Sequence, residues 1–149
     1  METLKAVGVQ KGFQTNELRT QAYARILGVK LPDEDTHRGK NPPSVLPACC
    51  CLTDSKCPLP DFVKNHRDWK QVEIDFVRTS TSSKSSLPSW LTGNDSQQQL
   101  RRLMHSCLFR NPQLHYFQGY GDICATMLAI CGEGNAFVIM NELSRTYLK

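Results

Sequence analysis

Apolar residues recur at helical spacing in five stretches of this chain, and no stretch alternates apolar with polar residues over the length of a strand. From Thr15 to Gly28, Leu18, Ala22 and Ile26 return every four residues, with Thr15 or Asn16 able to cap the start and Gly28 the end. A second helix is expected to begin between Asp61 and Asn65 and to run to about Thr79. Trp69, Val72 and Phe76 form its apolar stripe, and Arg78 falls on the opposite side. The third runs from Asp95 or Ser96 to Leu108, with Leu100, Leu103, Met104, Cys107 and Leu108 on one side and Arg101, Arg102 and His105 on the other. Asn111-Pro112 ends it. In the fourth, Ile123, Met127, Leu128 and Ile130 cover more than half the circumference, which predicts a central helix broken by Gly132 and Gly134. A fifth starts at Asn135, a candidate cap, and runs through Phe137, Val138, Ile139, Met140 and Leu143. The expected class is all-α.

Between these helices the character of the chain changes. Lys30 to Pro60 holds Pro32, Pro42, Pro43, Pro47, Pro58 and Pro60, each of which removes a backbone donor and moves its predecessor out of helical geometry. Residues 30–60 are therefore expected as an irregular insertion, 80–95 as a Ser-rich loop with Pro88 and Gly93, and 1–11 as a flexible N-terminus. Residues 136–140 are apolar nearly all round the helix. Such a face needs cover, either from the fourth helix or from helices of a longer domain of which this chain is the front portion.

Composition narrows the class of function. The 149 residues carry 40% hydrophobic and 21% charged side chains, a globular balance. The net charge of +4 is scattered from Lys5 to Lys149 and only 8% of residues are aromatic, so the stripe of cations and stacking rings that marks a nucleic-acid binder is missing. No apolar run follows Met1-Glu2-Thr3-Leu4-Lys5, so a cytoplasmic chain is expected. The ten uncharged residues from Ile123 to Gly132 fall short of the roughly 18 needed to cross a bilayer. The seven cysteines are expected as free thiols. Cys49-Cys50-Cys51 with Cys57, flanked by His37 and His66, invites a zinc reading, but three adjacent thiolates fit a tetrahedral site poorly. Palmitoylated or inert loop cysteines are the alternatives, and no metal is expected.

Two polar constellations stand out. In Val72-Glu73-Ile74-Asp75-Phe76-Val77-Arg78-Thr79, Asp75 and Arg78 lie at i and i+3, both expected on the face turned from the apolar stripe, where the carboxylate can direct the guanidinium. On spacing alone the pair reads first as an ordinary exposed helical ion pair. Leu114-His115-Tyr116-Phe117-Gln118-Gly119-Tyr120-Gly121-Asp122 is a polar, glycine-bearing strip just ahead of an apolar helix. It suits either a loop that projects Gln118 towards a partner or a plain loop capped by Asp122.

Arg19-x-x-x-Tyr23-x-x-Ile26-Leu27, Val72-x-x-Asp75-x-x-Arg78-Thr79 and Tyr116-x-Gln118-Gly119, in that order, resemble the three signature motifs of TBC domains, the Rab GTPase-activating modules. The resemblance spans about Gly12 to Lys149, with Tyr23 in place of the usual Trp and Val72 in place of Ile. The run from Arg110 to Ile123 is especially similar to the branch anchored at the endoplasmic reticulum that acts on Rabs of the early secretory pathway. The resemblance implies an all-helical fold longer than this chain, with the helices after the glutamine motif and the branch's membrane anchor absent here. It also implies a Rab partner that brings its own GTP and Mg²⁺, so the chain needs no cofactor and is a regulator of another protein's catalysis. Arg78 would be an arginine finger and Gln118 a glutamine finger. Asp75 would hold Arg78, Tyr116 and Gly119 would let Gln118 approach the nucleotide, and Asp122 would cap the next helix. Arg19 and Tyr23 would serve packing. A GTPase-binding adaptor without activating power is the alternative that a shortened domain implies.

Overall fold

The computed structural model describes residues 8, 12–32, 66–81 and 93–148. The expected N-terminal tail apart from Gly8, the insertion beyond Pro32 with Cys49, Cys50, Cys51, Cys57 and His37, and most of the Ser-rich loop lie outside the described residues. Four helices are present among them: α1 Asn16–Leu27, α2 Trp69–Thr81, α3 Asn94–Arg110 and α4 Tyr120–Thr146. The class is all-α.

α1 is capped as its sequence suggests. The Thr15 hydroxyl accepts the Leu18 N–H at 3.3 Å, and Gly28 closes the helix with its N–H on the carbonyls of Ala24 and Arg25. Its packing face differs from the expected one. Thr20, Ala22 and Ala24 are buried while Leu18 is half exposed, because α1 lies against α4 and the Thr20 hydroxyl faces the Ile130 carbonyl at 3.4 Å. Arg19 bonds Asn16 within its own helix.

α2 begins at Trp69, later than the pattern suggests, after a turn at 66–68 in which the Asp68 N–H donates to His66 Nδ1 at 3.1 Å. α3 is buried almost all round from Leu100 to Leu108, since α2 and α4 both pack on it. Arg102 and His105, expected outside, are only 6% and 2% exposed. A buried charge or ring nitrogen is tolerable when its partner comes in with it. Arg102 makes a two-pronged pair with Glu133 at 2.9 and 3.1 Å. His105 stacks on Trp69 with centroids 4.0 Å apart and donates Nε2–H to Glu73 at 2.6 Å, while Arg101 grips the same carboxylate with two bonds of 2.8 Å. Helical periodicity sees only polarity at 102 and 105, so it places them in water.

α4 consists of two helical arms that meet at a break at Gly132 (φ 71°, ψ 165°), the first of the two glycines at which the sequence predicts a break. Gly134 stays helical, and Asn135 is no cap: it lies inside the second arm with its side-chain oxygen buried. Length and composition would let Tyr120–Thr146 cross a membrane, which the count of ten uncharged residues misses by stopping at Glu133. In the fold that helix is the central element. Tyr120, Cys124, Ala125 and Leu128 from its first arm and Ala136 and Met140 from its second join Val72, Leu100, Leu103, Met104, Cys107, Leu108 and Leu114 in one core. Ile123 and Met127, expected at its centre, pack at the margin of that core. The Tyr120 hydroxyl meets Ser144 at 2.8 Å, which ties the two arms together across the bend. Cys107, Cys124 and Cys131 are free thiols.

Two stability predictions follow from this packing. Gly132 occupies backbone space essentially closed to other residues, and a Cβ there would meet nothing within 4 Å. Gly132→Ala should therefore lower unfolding free energy by about 1–3 kcal/mol through backbone strain alone, as read by urea titration; a neutral result would contradict the bend. Burial lowers the His105 pKa from 6.5, against the pull of Glu73, so the folded ring stays neutral. As pH falls through 6.5 the unfolded chain takes up a proton that the folded chain refuses, and stability declines. His105→Gln should flatten the decline between about pH 7.5 and 5.5; a slope equal to wild type would show that His105 does not carry it.

Candidate functional site

The turn before α2, α2 itself and the loop from Asn111 to Gly119 meet at one end of the core. α2 turns Val72 and Asp75 inward and leaves Arg78 outside, its side chain 55% exposed. Asp75 does not share the outward face with Arg78. It is 3% exposed, because at i+3 from Val72 it falls on the buried side of the helix.

A carboxylate so deep requires partners. The Tyr116 hydroxyl donates to its Oδ2 at 2.5 Å, and Arg78 Nη2 stands 3.5 Å from its Oδ1. Burial first, and then the hydrogen bond to Asp75, raise the Tyr116 pKa far above its usual value, so the phenol remains a donor. Asp75 thus links the loop to the guanidinium, one oxygen for each.

The loop's backbone is held separately. Leu114 is fully buried and its N–H donates to the Asn111 carbonyl at 2.9 Å, while the Asn111 side chain bonds the Cys107 carbonyl and Asn141 at 2.7 and 3.0 Å. Arg67 Nη2 donates to the Leu114 carbonyl at 3.3 Å, and the Tyr116 N–H donates to Asp68 Oδ2 at 3.0 Å. Tyr116 is held at its backbone by Asp68 and at its hydroxyl by Asp75. These two acids lie seven residues apart, two turns on one side of the α2 segment.

Gln118 follows two residues later and is exposed. With its carboxamide oxygen turned to the guanidinium, the orientation that satisfies both groups, it accepts from Arg78 Nη2 at 2.9 Å and Nη1 at 3.3 Å. Gly119 then takes φ +96°, a conformation side-chain-bearing residues rarely adopt, and serves as the N-terminal cap position of α4. Asp122 is not that cap. It is exposed in the first helical turn, where its charge suits the positive end of the helix.

The structure therefore brings Arg78, Asp75, Tyr116 and Gln118 into one connected cluster, with Gly119 and Asp122 forming the exit into α4. Arg67 and Asp68 belong to it too, although the motif pattern passes over them. The one available signal is Asp68 itself, an acid at a helix start and two turns ahead of Asp75. Chemically the cluster offers a guanidinium and a carboxamide side by side at the surface, backed by a buried acid. None of its groups is arranged as a nucleophile with an adjacent base.

Comparison with known proteins agrees with these motifs. The Rab-GTPase-TBC domain family matches residues 16–149. The chain is 28% identical over 138 residues to the TBC1 domain family member 20 proteins of Bos taurus and Homo sapiens, and 31% identical over the same length to that of Mus musculus. Each match covers 93% of this chain and 29% of the relative, so the chain spans less than a third of the length of these relatives. By the extent of the family match and the all-helical fold that carries its motifs, the chain belongs to the Rab-GTPase-TBC domain family.

Proposed function

We propose that this chain acts in trans as an activator of a Rab GTPase, completing that protein's active site with Arg78 and Gln118. The observation that supports the reading best is the contact between the two side chains: a guanidinium and a carboxamide from distant parts of the sequence sit 2.9 Å apart on one exposed surface. In the free chain the two heads occupy each other. Docked on a GTPase, Arg78 would neutralise charge on the transferring γ-phosphoryl group, and Gln118 would orient the attacking water.

Asp75 aims the guanidinium from below, Tyr116 fixes Asp75 and the loop, Gly119 provides the turn, and Asp122 supports the start of α4. GTP and Mg²⁺ belong to the partner. Ile74 and Val77, 62% and 53% exposed, flank Arg78 and suit a protein surface better than a small ligand. The resemblance of the Arg110–Ile123 stretch to the endoplasmic-reticulum branch of the family favours a Rab of the early secretory pathway and a cytoplasmic site of action at its membranes.

Single-turnover GTP hydrolysis by a panel of Rabs, with and without the chain, tests the reading. An arginine finger is worth about 10³–10⁵ in rate. Arg78→Ala should remove nearly all of the stimulation, and Arg78→Lys most of it, because a point charge lacks the planar fork. Gln118→Ala should lower stimulation by about 10²-fold, in the range of a lost positioning group. Binding of the GTP-loaded Rab should persist in all three. Binding by wild type without acceleration would mark the chain as an adaptor and overturn the proposal.

A further inference from the structure

Asp68 stands outside the three motifs, yet it contacts the loop that carries Gln118. Its main-chain carbonyl accepts the Val72 N–H at 3.0 Å, which places it at the start of α2, and its side chain reaches across 48 positions of sequence to the backbone N–H of Tyr116. Arg67 stands beside it, with Nε 3.6 Å from Asp68 Oδ2 and Nη2 on the Leu114 carbonyl at 3.3 Å. Successive residues of the turn therefore hold loop residues 114 and 116, one carbonyl and one N–H.

These bonds control a different degree of freedom from the one Asp75 controls. Tyr116 is a long side chain, and a hydroxyl anchored at its tip leaves the backbone beneath it free to slide or tilt. Fixing the main chain as well, through a side-chain oxygen on the Tyr116 N–H, removes that freedom two residues ahead of Gln118. Because the same turn begins the helix that bears Arg78, loop and helix share one reference point.

We infer that Asp68 is a positioning residue for Gln118: by accepting the Tyr116 N–H it sets where the carboxamide stands relative to Arg78. The inference rests on the activator reading above. Asp68 touches no reacting atom, and its effect should appear in the rate of the assembled complex and not in how tightly the complex forms. A misplacement of about 1 Å costs a reacting group up to about 10²-fold.

The test uses the full chain with the Rab that wild type accelerates most. Asp68→Ser keeps a hydroxyl able to start the helix but falls short of Tyr116, whereas Asp68→Asn keeps an acceptor of the same reach. Asp68→Ser should lower the stimulated kcat by about 10- to 100-fold with KM within about twofold, and amide exchange at Tyr116 should accelerate. Asp68→Asn should restore most of both. Wild-type kcat in Asp68→Ser, a loss confined to KM, or an asparagine variant as impaired as serine would overturn the inference. The exchange rate is read without any GTPase, so unchanged protection of the Tyr116 amide in Asp68→Ser would sink it independently. If wild type accelerates no Rab, the activator reading fails and the positioning role falls with it.

Discussion

A carboxylate withdrawn from water at the end of the core governs this site. A buried carboxyl group needs donors, and the two that Asp75 meets come from different parts of the chain, the Tyr116 hydroxyl and the Arg78 guanidinium. Removing either would leave a buried acid with half its partners. The same requirement that keeps the fold intact therefore keeps the loop beside the helix and the guanidinium at a set angle. Gln118 completes the arrangement from the exposed side by accepting from Arg78.

The remainder of the domain braces the two elements that meet at Asp75. α2 is fastened to α3 by Glu73, whose carboxylate takes three bonds from Arg101 and His105. Burial would raise its pKa, but those bonds and charges outweigh it and hold the value at about 2. α3 is fastened to α4 by the Arg102–Glu133 pair just past the bend, and the loop hangs between α3 and α4 from Leu114 and Asn111. Asp75, Arg102 and His105, the charged or ionisable side chains drawn into the interior here, each face a partner from another part of the fold, which makes the relative placement of the helices specific as well as favourable.

Much of the fold was legible in the chain because apolar residues at 72, 100, 103, 104, 107 and 108 obey helical spacing and are buried as it suggests. What escaped periodicity was polar burial. Asp75, Arg102 and His105 read as surface residues one at a time, and only the partners Tyr116, Glu133 and Glu73 explain their interior positions. The break at Gly132 was visible as a glycine, but the start of the second arm ahead of Gly134 and Asn135 was not. Arg78 and Gln118 stood out through their motifs, while their contact is a tertiary fact no spacing contains. Asp68 was silent, being one more acid ahead of a helix.

The most direct measurement is binding of the chain to a panel of Rabs loaded with GDP and aluminium fluoride, which mimics the transferring phosphoryl group and is held tightly only by a complete active site. The account predicts a stable complex in which Arg78 and Gln118 both lie within hydrogen-bond distance of the fluoride or its attacking water, and which Arg78→Ala abolishes. A complex that forms equally well with Arg78→Ala, or one in which the pair stays turned towards each other and away from the nucleotide, would contradict it.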